Sequence, residues 1–146
     1  MKIAIDVMGG DFAPQNPVGG IKLALADLQQ ISRLLLVGVP EVIQKELDTQ
    51  GVSSPKIEII PAYQVVEMSD SGLDAVRKKK DSSISRSIDL VKSGQADAVV
   101  SAGHTGAAVT ASLIKLRTLP GVERPAIASI LPSRTKFWTL IDAGAN

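Results

Sequence analysis

Three short stretches of this chain combine residue types suited to holding an anion. The first is Asp6, followed by Gly9, Gly10 and Asp11. A strand end running into two glycines lets backbone amides approach a ligand closely. The competing reading is a turn in which the Asp side chains satisfy nearby N–H groups. No G-x-G-x-x-G or Walker lysine pattern occurs here, which disfavours a dinucleotide or P-loop site. The second stretch is Arg77-Lys78-Lys79-Lys80-Asp81-Ser82-Ser83. Cations at the end of one helix offset its dipole, and Asp81 or Ser82 can cap the next. The same Arg and Lys side chains bind phosphate well, and helix-start amides at Ser82 and Ser83 would stand beside them. The third is Ser101-Ala102-Gly103-His104-Thr105-Gly106. His104 is the only histidine, so no His pair can bind a metal and a His-based triad would have to use this residue; the plainer reading is a helix cap. Asp6, Asp11, Asp70 and Asp142 are carboxylates available to Mg²⁺, but their spacing matches no ligand pattern.

The elements around these stretches follow from apolar periodicity and breakers. Ala98 to Val100 reads as a buried strand, and from His104 a helical pattern begins, with Val109, Leu113 and Leu116 at helical spacing and Ala107, Ala108 and Ala111 allowing close packing. A strand leading through glycine into a helix sets free N–H groups and a partial positive charge at the strand's carboxyl edge. Open α/β sheets bind ligands at that edge. Earlier in the chain, Lys2–Val7, Arg33–Val37 and Lys56–Ile60 read as strands. Between them, Pro14 and Pro17 introduce a helix with Val18, Ile21, Leu25 and Leu28 on one face, and Pro40 begins another with Val42, Ile43 and Leu47 inward. Gln64–Glu67 is a short extended piece and Leu73–Lys80 a short helix. The next helix turns Ile84, Ile88 and Val91 inward and ends at Gly94. Ala126–Leu131 and Lys136–Ile141 are two further strands. Strand–helix alternation predicts a three-layer α/β fold, a mostly parallel sheet with helices on both faces. The final Asp142–Asn146 is a small-residue loop of the kind that feeds another helix, so residues 1–146 read as the N-terminal portion of one α/β domain.

Composition narrows the classes. A chain of 146 residues, 45% apolar and 21% charged, is long enough for a real core and reads as a globular domain. A net charge of +1 gives no global field for nucleic acid or acidic membrane, and 3% aromatics argue against base stacking. With no cysteine, disulfides, Cys-ligated zinc and a Cys nucleophile are excluded, in keeping with a reducing cytoplasm. The start, MKIAIDVMGG, is too short an apolar run for a signal peptide or a spanning helix.

The segments MKIAIDVMGGDFAP, RKKKDSS, DAVVSAGHTGA, ERPAIASILPS and LIDAGAN, in that order, resemble the bacterial phosphate acyltransferases of phospholipid synthesis, the acyl-ACP:phosphate transacylases or fatty acid/phospholipid synthesis proteins. The resemblance runs from the first residue to the last. It departs at Phe12, where that family has His, and at His104, where it has Asn. It implies a fold similar to phosphotransacetylases and isopropylmalate-type dehydrogenases. It also implies a homodimeric, cofactor- and metal-free cytoplasmic enzyme that makes acyl phosphate from acyl-acyl carrier protein and inorganic phosphate. A peripheral association with a membrane glycerol-phosphate acyltransferase goes with that role, and a piece of this length is expected to be inactive alone.

That reaction suits the residues present. Phosphate attacks a thioester carbonyl and a thiolate leaves, so no covalent nucleophile is required. The site must hold a dianion and stabilise an oxyanion, tasks for helix-start amides, Arg and Lys. The expectation therefore places Thr105 and His104 at the catalytic centre. Gly9, Gly10, Asp11, Arg77, Lys78, Ser82, Ser83, Ser101, Gly103 and Gly106 surround the phosphate, and Lys79 and Lys80 dock the acidic carrier protein. Two other classes remain open at this stage. One is a non-enzymatic module binding a phosphate ligand or carrier protein. The other is an actin-like-fold sugar kinase, whose first phosphate loop turns into a second antiparallel strand; a helix from about Asn16 to Leu28 would exclude it.

Overall fold

The computed structural model describes residues 1–67, 69–123 and 125–141; Met68, Arg124 of the ERPAIASILPS segment, and residues 142–146 with Asp142 lie outside them. Strand β1 (Lys2–Asp6) leads to helix α1 (Gln15–Asp27), then β2 (Arg33–Gly38), α2 (Pro40–Gln50) and β3 (Ile57–Pro61). Two helices follow, α3 (Gly72–Lys78) and α4 (Ser83–Lys92), before β4 (Ala98–Ser101), α5 (Thr105–Leu116), β5 (Ala128–Pro132) and β6 (Phe137–Ile141). The first four strands form one parallel sheet in the order β3-β2-β1-β4. The helix after β1 excludes the sugar-kinase loop, which would return as an antiparallel strand.

Local chemistry explains where these elements begin and end. Pro40 occupies the first turn of α2, where its fixed φ is already helical and its missing N–H is not needed. Gly51 closes that helix in the left-handed region, φ 63°, donating its N–H to Asp48 and Leu47 carbonyls. Ser71 caps α3 by accepting the Asp74 N–H, 3.1 Å away. Of the two cap candidates for α4, Ser82 holds the position, though without a side-chain capping bond. Asp81 instead accepts the Tyr63 N–H at 3.1 Å and pairs with Arg86.

Alternation along the strands covers both faces of the sheet. On one face Ile3, Ile5, Leu34, Leu36, Ile57 and Ile59 pack with Val18 and Ile21 of α1 and Ile43 and Leu47 of α2. On the other, Ala4, Leu35 and Val37 meet Leu90 and Val91 of α4. Leu36 and Ile43 are fully buried, and such side chains contribute about 1.5–3 kcal/mol each. The result is the expected three-layer arrangement.

One expectation of detail is corrected, and two others gain detail. Leu28 does not continue the buried stripe of α1, because the helix ends at Asp27 and Leu28, its C-cap, is 40% exposed. In α5 the buried side is the alanine side: Ala107 and Ala111 are fully covered by α3 and α4, while Leu113 and Leu116 are 42% and 41% exposed. Small side chains win that face because they let two helices approach closely together. The last two strands do not extend the parallel sheet. They pair antiparallel with each other as a separate hairpin, leaving Ile130, Phe137, Trp138 and Ile141 exposed.

Candidate functional site

The strand order itself marks a crevice. From β1 the chain steps to β2 and β3 on one side, then crosses to place β4 on the other side of β1. The two directions diverge at the carboxyl ends of β1 and β4, the switch point where α/β sheets open a ligand crevice. Parallel register sets Asp6 beside Ser101 there, the last residue of each strand. Both loops leaving these strands are sites singled out from sequence, and register brings them together.

Their contacts are close. The Ser101 hydroxyl donates to Asp6 Oδ2 at 2.7 Å and accepts the Gly103 N–H at 3.1 Å. Gly9 lies against Gly103: a Cβ on Gly9 would sit 3.0 Å from the Gly103 nitrogen and clash with Asp6 Oδ2. Gly10 has φ +108°, a conformation open to glycine, and packs against the Ala102 carbonyl. Asp11 stands exposed at the rim.

Helix α5 starts directly from this crevice. His104 is its N-cap: Nδ1 accepts the Ala107 N–H at 3.1 Å, which assigns the ring hydrogen to Nε2, and Nε2–H donates to the Asp70 carbonyl at 2.8 Å. Both ring nitrogens are therefore engaged, and His104 serves the helix start. Ala107 and Ala108 N–H groups are satisfied by His104, while the first two amides, Thr105 and Gly106, have no acceptor among the described residues. Thr105 and Gly106 are also exposed. These two amides and the helix dipole are what the crevice offers an anion.

The basic run is divided by the structure. Lys79 was expected on a docking surface; instead its ammonium is half-buried, bound to Asp70 Oδ2 at 2.6 Å and to the Val65 carbonyl at 2.8 Å. Lys78 is exposed and 3.5 Å from Asp74. Arg77 and Lys80 are exposed, and among the described residues neither makes an ion pair. Ser82 and Ser83, expected to offer amides, are buried and use them internally, Ser82 toward the Lys79 carbonyl and Ser83 toward Gln64. Ser82 and Ser83 therefore do not offer their own amides to a ligand.

Asp70, which the sequence marks only as a carboxylate available to Mg²⁺, ties these parts together. Its side chain holds Lys79 and accepts the Glu67 N–H, and its carbonyl holds His104. Gly72, two residues on, lies in backbone contact with Gly106. The Lys79 ammonium, then the Glu67 N–H, hold the Asp70 carboxyl below the usual carboxylate range. A lowered folded pKa means this latch contributes its full stability above the unfolded value, near 3.9, and loses it as pH falls through the folded value. The stability difference between the native chain and Asp70→Asn should accordingly shrink as pH falls below about 4. Denaturant midpoints across that range check it; a difference unchanged down to pH 2.5 would contradict the latch.

Among the described residues no group of three or more His, Asp or Glu side chains is placed to hold a metal ion. No helix among them is long and apolar enough to cross a membrane.

Comparison with known sequences gives a consistent result. Residues 1–146 match the family described as "Fatty acid synthesis protein". The chain is 57% identical over its whole length to a protein of Akkermansia muciniphila named "Phosphate acyltransferase". It is 46% identical to a phosphate acyltransferase of Desulforudis audaxviator and 43% to one of Halothermothrix orenii, again over all of this chain. It spans only 42–43% of the length of these relatives.

Proposed function

The chain belongs to the fatty acid synthesis protein family, and on that premise we propose that the protein transfers a fatty acyl group from acyl-acyl carrier protein to inorganic phosphate. The residues described form the N-terminal portion of its catalytic domain. The observation that carries this reading is the pair of amides, Thr105 and Gly106, without acceptors among the described residues, opening α5 at the switch point between β1 and β4. A phosphate dianion suits that crevice. One of its oxygens attacks the thioester carbonyl, the C–O bond forms, the C–S bond breaks, and the proton of HPO₄²⁻ ends on the departing thiolate. Helix-start amides stabilise negative charge on phosphate or on the carbonyl oxygen, and they are already oriented. The glycine loop, Gly9 and Gly10, forms the opposite wall with Asp11 at its rim, and Gly103 sets the turn into α5. Thr105 offers a hydroxyl beside its own amide, while His104 holds the helix start in place.

The exposed cations divide the remaining tasks. Arg77 neutralises phosphate, and Lys78 and Lys80 face an acidic carrier protein; Lys79 belongs to the Asp70 latch. In this reading the full-length protein is a cytoplasmic homodimer needing no cofactor, associated peripherally with a membrane acyltransferase that consumes its product.

The test uses the full-length protein, purified acyl-acyl carrier protein and isotopically labelled phosphate, with acyl phosphate read as label carried into an acylated product. Acyl phosphate should appear in step with free thiol and only when phosphate is present. Arg77→Ala should raise the phosphate KM about ten- to a hundredfold, the loss of one charge-assisted partner. Lys80→Ala should raise the carrier-protein KM, with an effect that fades as salt rises. Thiol release without phosphate, or no acyl phosphate at all, would overturn the assignment.

A further inference from the structure

Asp6 is the one buried charged side chain among the described residues, 3% exposed. An unpaired carboxylate in such a place is costly, and this one has a partner at only one oxygen: Oδ2 takes the Ser101 hydroxyl, while Oδ1 has none among the described residues. A cross-link between strands does not account for it, since β1 and β4 are already joined by a ladder of four register pairs. What Asp6 controls is the direction of the Ser101 hydroxyl. With its hydrogen drawn to Asp6, the Ser101 oxygen presents lone pairs to the Gly103 N–H, 3.1 Å away. A charged acceptor at one end of such a chain strengthens the bond at the other. The Gly103 amide is thereby pulled back toward β4, at the turn that immediately precedes His104 and the two open amides of α5. Glycines hold the space for this arrangement, Gly9 lying directly over Asp6 Oδ2 and against the Gly103 nitrogen.

We infer that Asp6 is a positioning residue for the anion site, acting through Ser101 and Gly103 to aim the Thr105 and Gly106 amides at phosphate. Ser101 is accordingly a link in this relay and not itself a phosphate ligand. The inference rests on the proposed phosphate site at the start of α5, and it does not depend on turnover.

The test is calorimetric titration of the full-length protein with inorganic phosphate, alongside steady-state kinetics and thermal midpoints. Asp6→Ala and Ser101→Ala should each weaken phosphate binding on the order of tenfold, the effect of misaiming one charge-assisted amide contact, since neither side chain touches phosphate itself. The double variant should be no worse than the weaker single one, because both break one chain. Asp6→Asn keeps an acceptor for Ser101 and should bind within about threefold of the native protein. In kinetics the phosphate KM should rise while the carrier-protein KM stays constant, a split that general loosening would not produce. Additive losses in the double variant, or Ser101→Ala binding phosphate like the native protein, would overturn the inference. Should Asp6→Ala fail to fold, Ser101→Ala alone decides, since its partly exposed side chain leaves the core untouched. Native protein that binds phosphate without forming acyl phosphate would refute the proposed reaction and leave this relay standing. Native protein that binds no phosphate would refute the relay.

Discussion

Replacing Gly9 by Ala should abolish most of the anion site while leaving the rest of the fold intact. The added methyl would clash with Asp6 Oδ2 and stand 3.0 Å from the Gly103 backbone nitrogen. Neither neighbour can yield cheaply: Asp6 is buried and tied to Ser101, and the Gly103 amide is tied to the same hydroxyl. Relief requires the two loops to separate, which breaks the relay and turns the start of α5. Overpacking of this kind costs about 1–3 kcal/mol. We expect a thermal midpoint lower by several degrees and phosphate affinity reduced at least tenfold, on the order of one hydrogen-bonded contact to a charged ligand. Gly20→Ala supplies the control. It lies inside α1, where a Cβ meets nothing within 4 Å, and it should stabilise the chain by about 0.5–1 kcal/mol. If Gly9→Ala matched Gly20→Ala in stability and phosphate binding, the packing of the two loops would be irrelevant to the site.

Gly72→Ala should act from the other side of the crevice. Here the new methyl would lie 2.8 Å from both the carbonyl carbon and oxygen of Gly106 and 3.2 Å from the Ala107 nitrogen. All three atoms belong to the first turn of α5, so only a shift of a whole helix makes room. Helix α3 then moves away, and with it the Asp70 carbonyl that accepts the His104 Nε2–H. The expected cost is again about 1–3 kcal/mol, measured as a loss in denaturant midpoint. Hydrogen exchange should accelerate at Ala107 and Ala108, whose amides His104 satisfies. Unchanged exchange at those amides would show that α3 does not support the start of α5.

These two glycines illustrate which parts of the molecule could be read in advance. Strand–helix alternation, with Pro at helix starts and Gly at turns, was enough to anticipate the parallel sheet and the two loops at its carboxyl edge. Those features are local, or follow from the handedness of crossovers. The Asp6–Ser101 bond was out of reach because it joins residues far apart in the chain and exists only through the β1–β4 register. Lys79 stands in a run of four cations with no periodicity to say which one turns inward; its partner Asp70 lies at the opposite end of α3. The packed side of α5 was legible in its alanines, since the close approach of α3 and α4 covers Ala107 and Ala111. The hairpin strands have the composition of core strands, and nothing local distinguishes a strand that joins a sheet from one that pairs beside it.

Amide resonances of the full-length protein titrated with inorganic phosphate report directly on where the phosphate sits. Saturable shifts are expected at Thr105 and Gly106, with a smaller response at Gly10 across the crevice, and the same shifts lost in Gly9→Ala. Shifts confined to Arg77–Lys80 and the start of α4, with Thr105 and Gly106 unmoved, would contradict this placement.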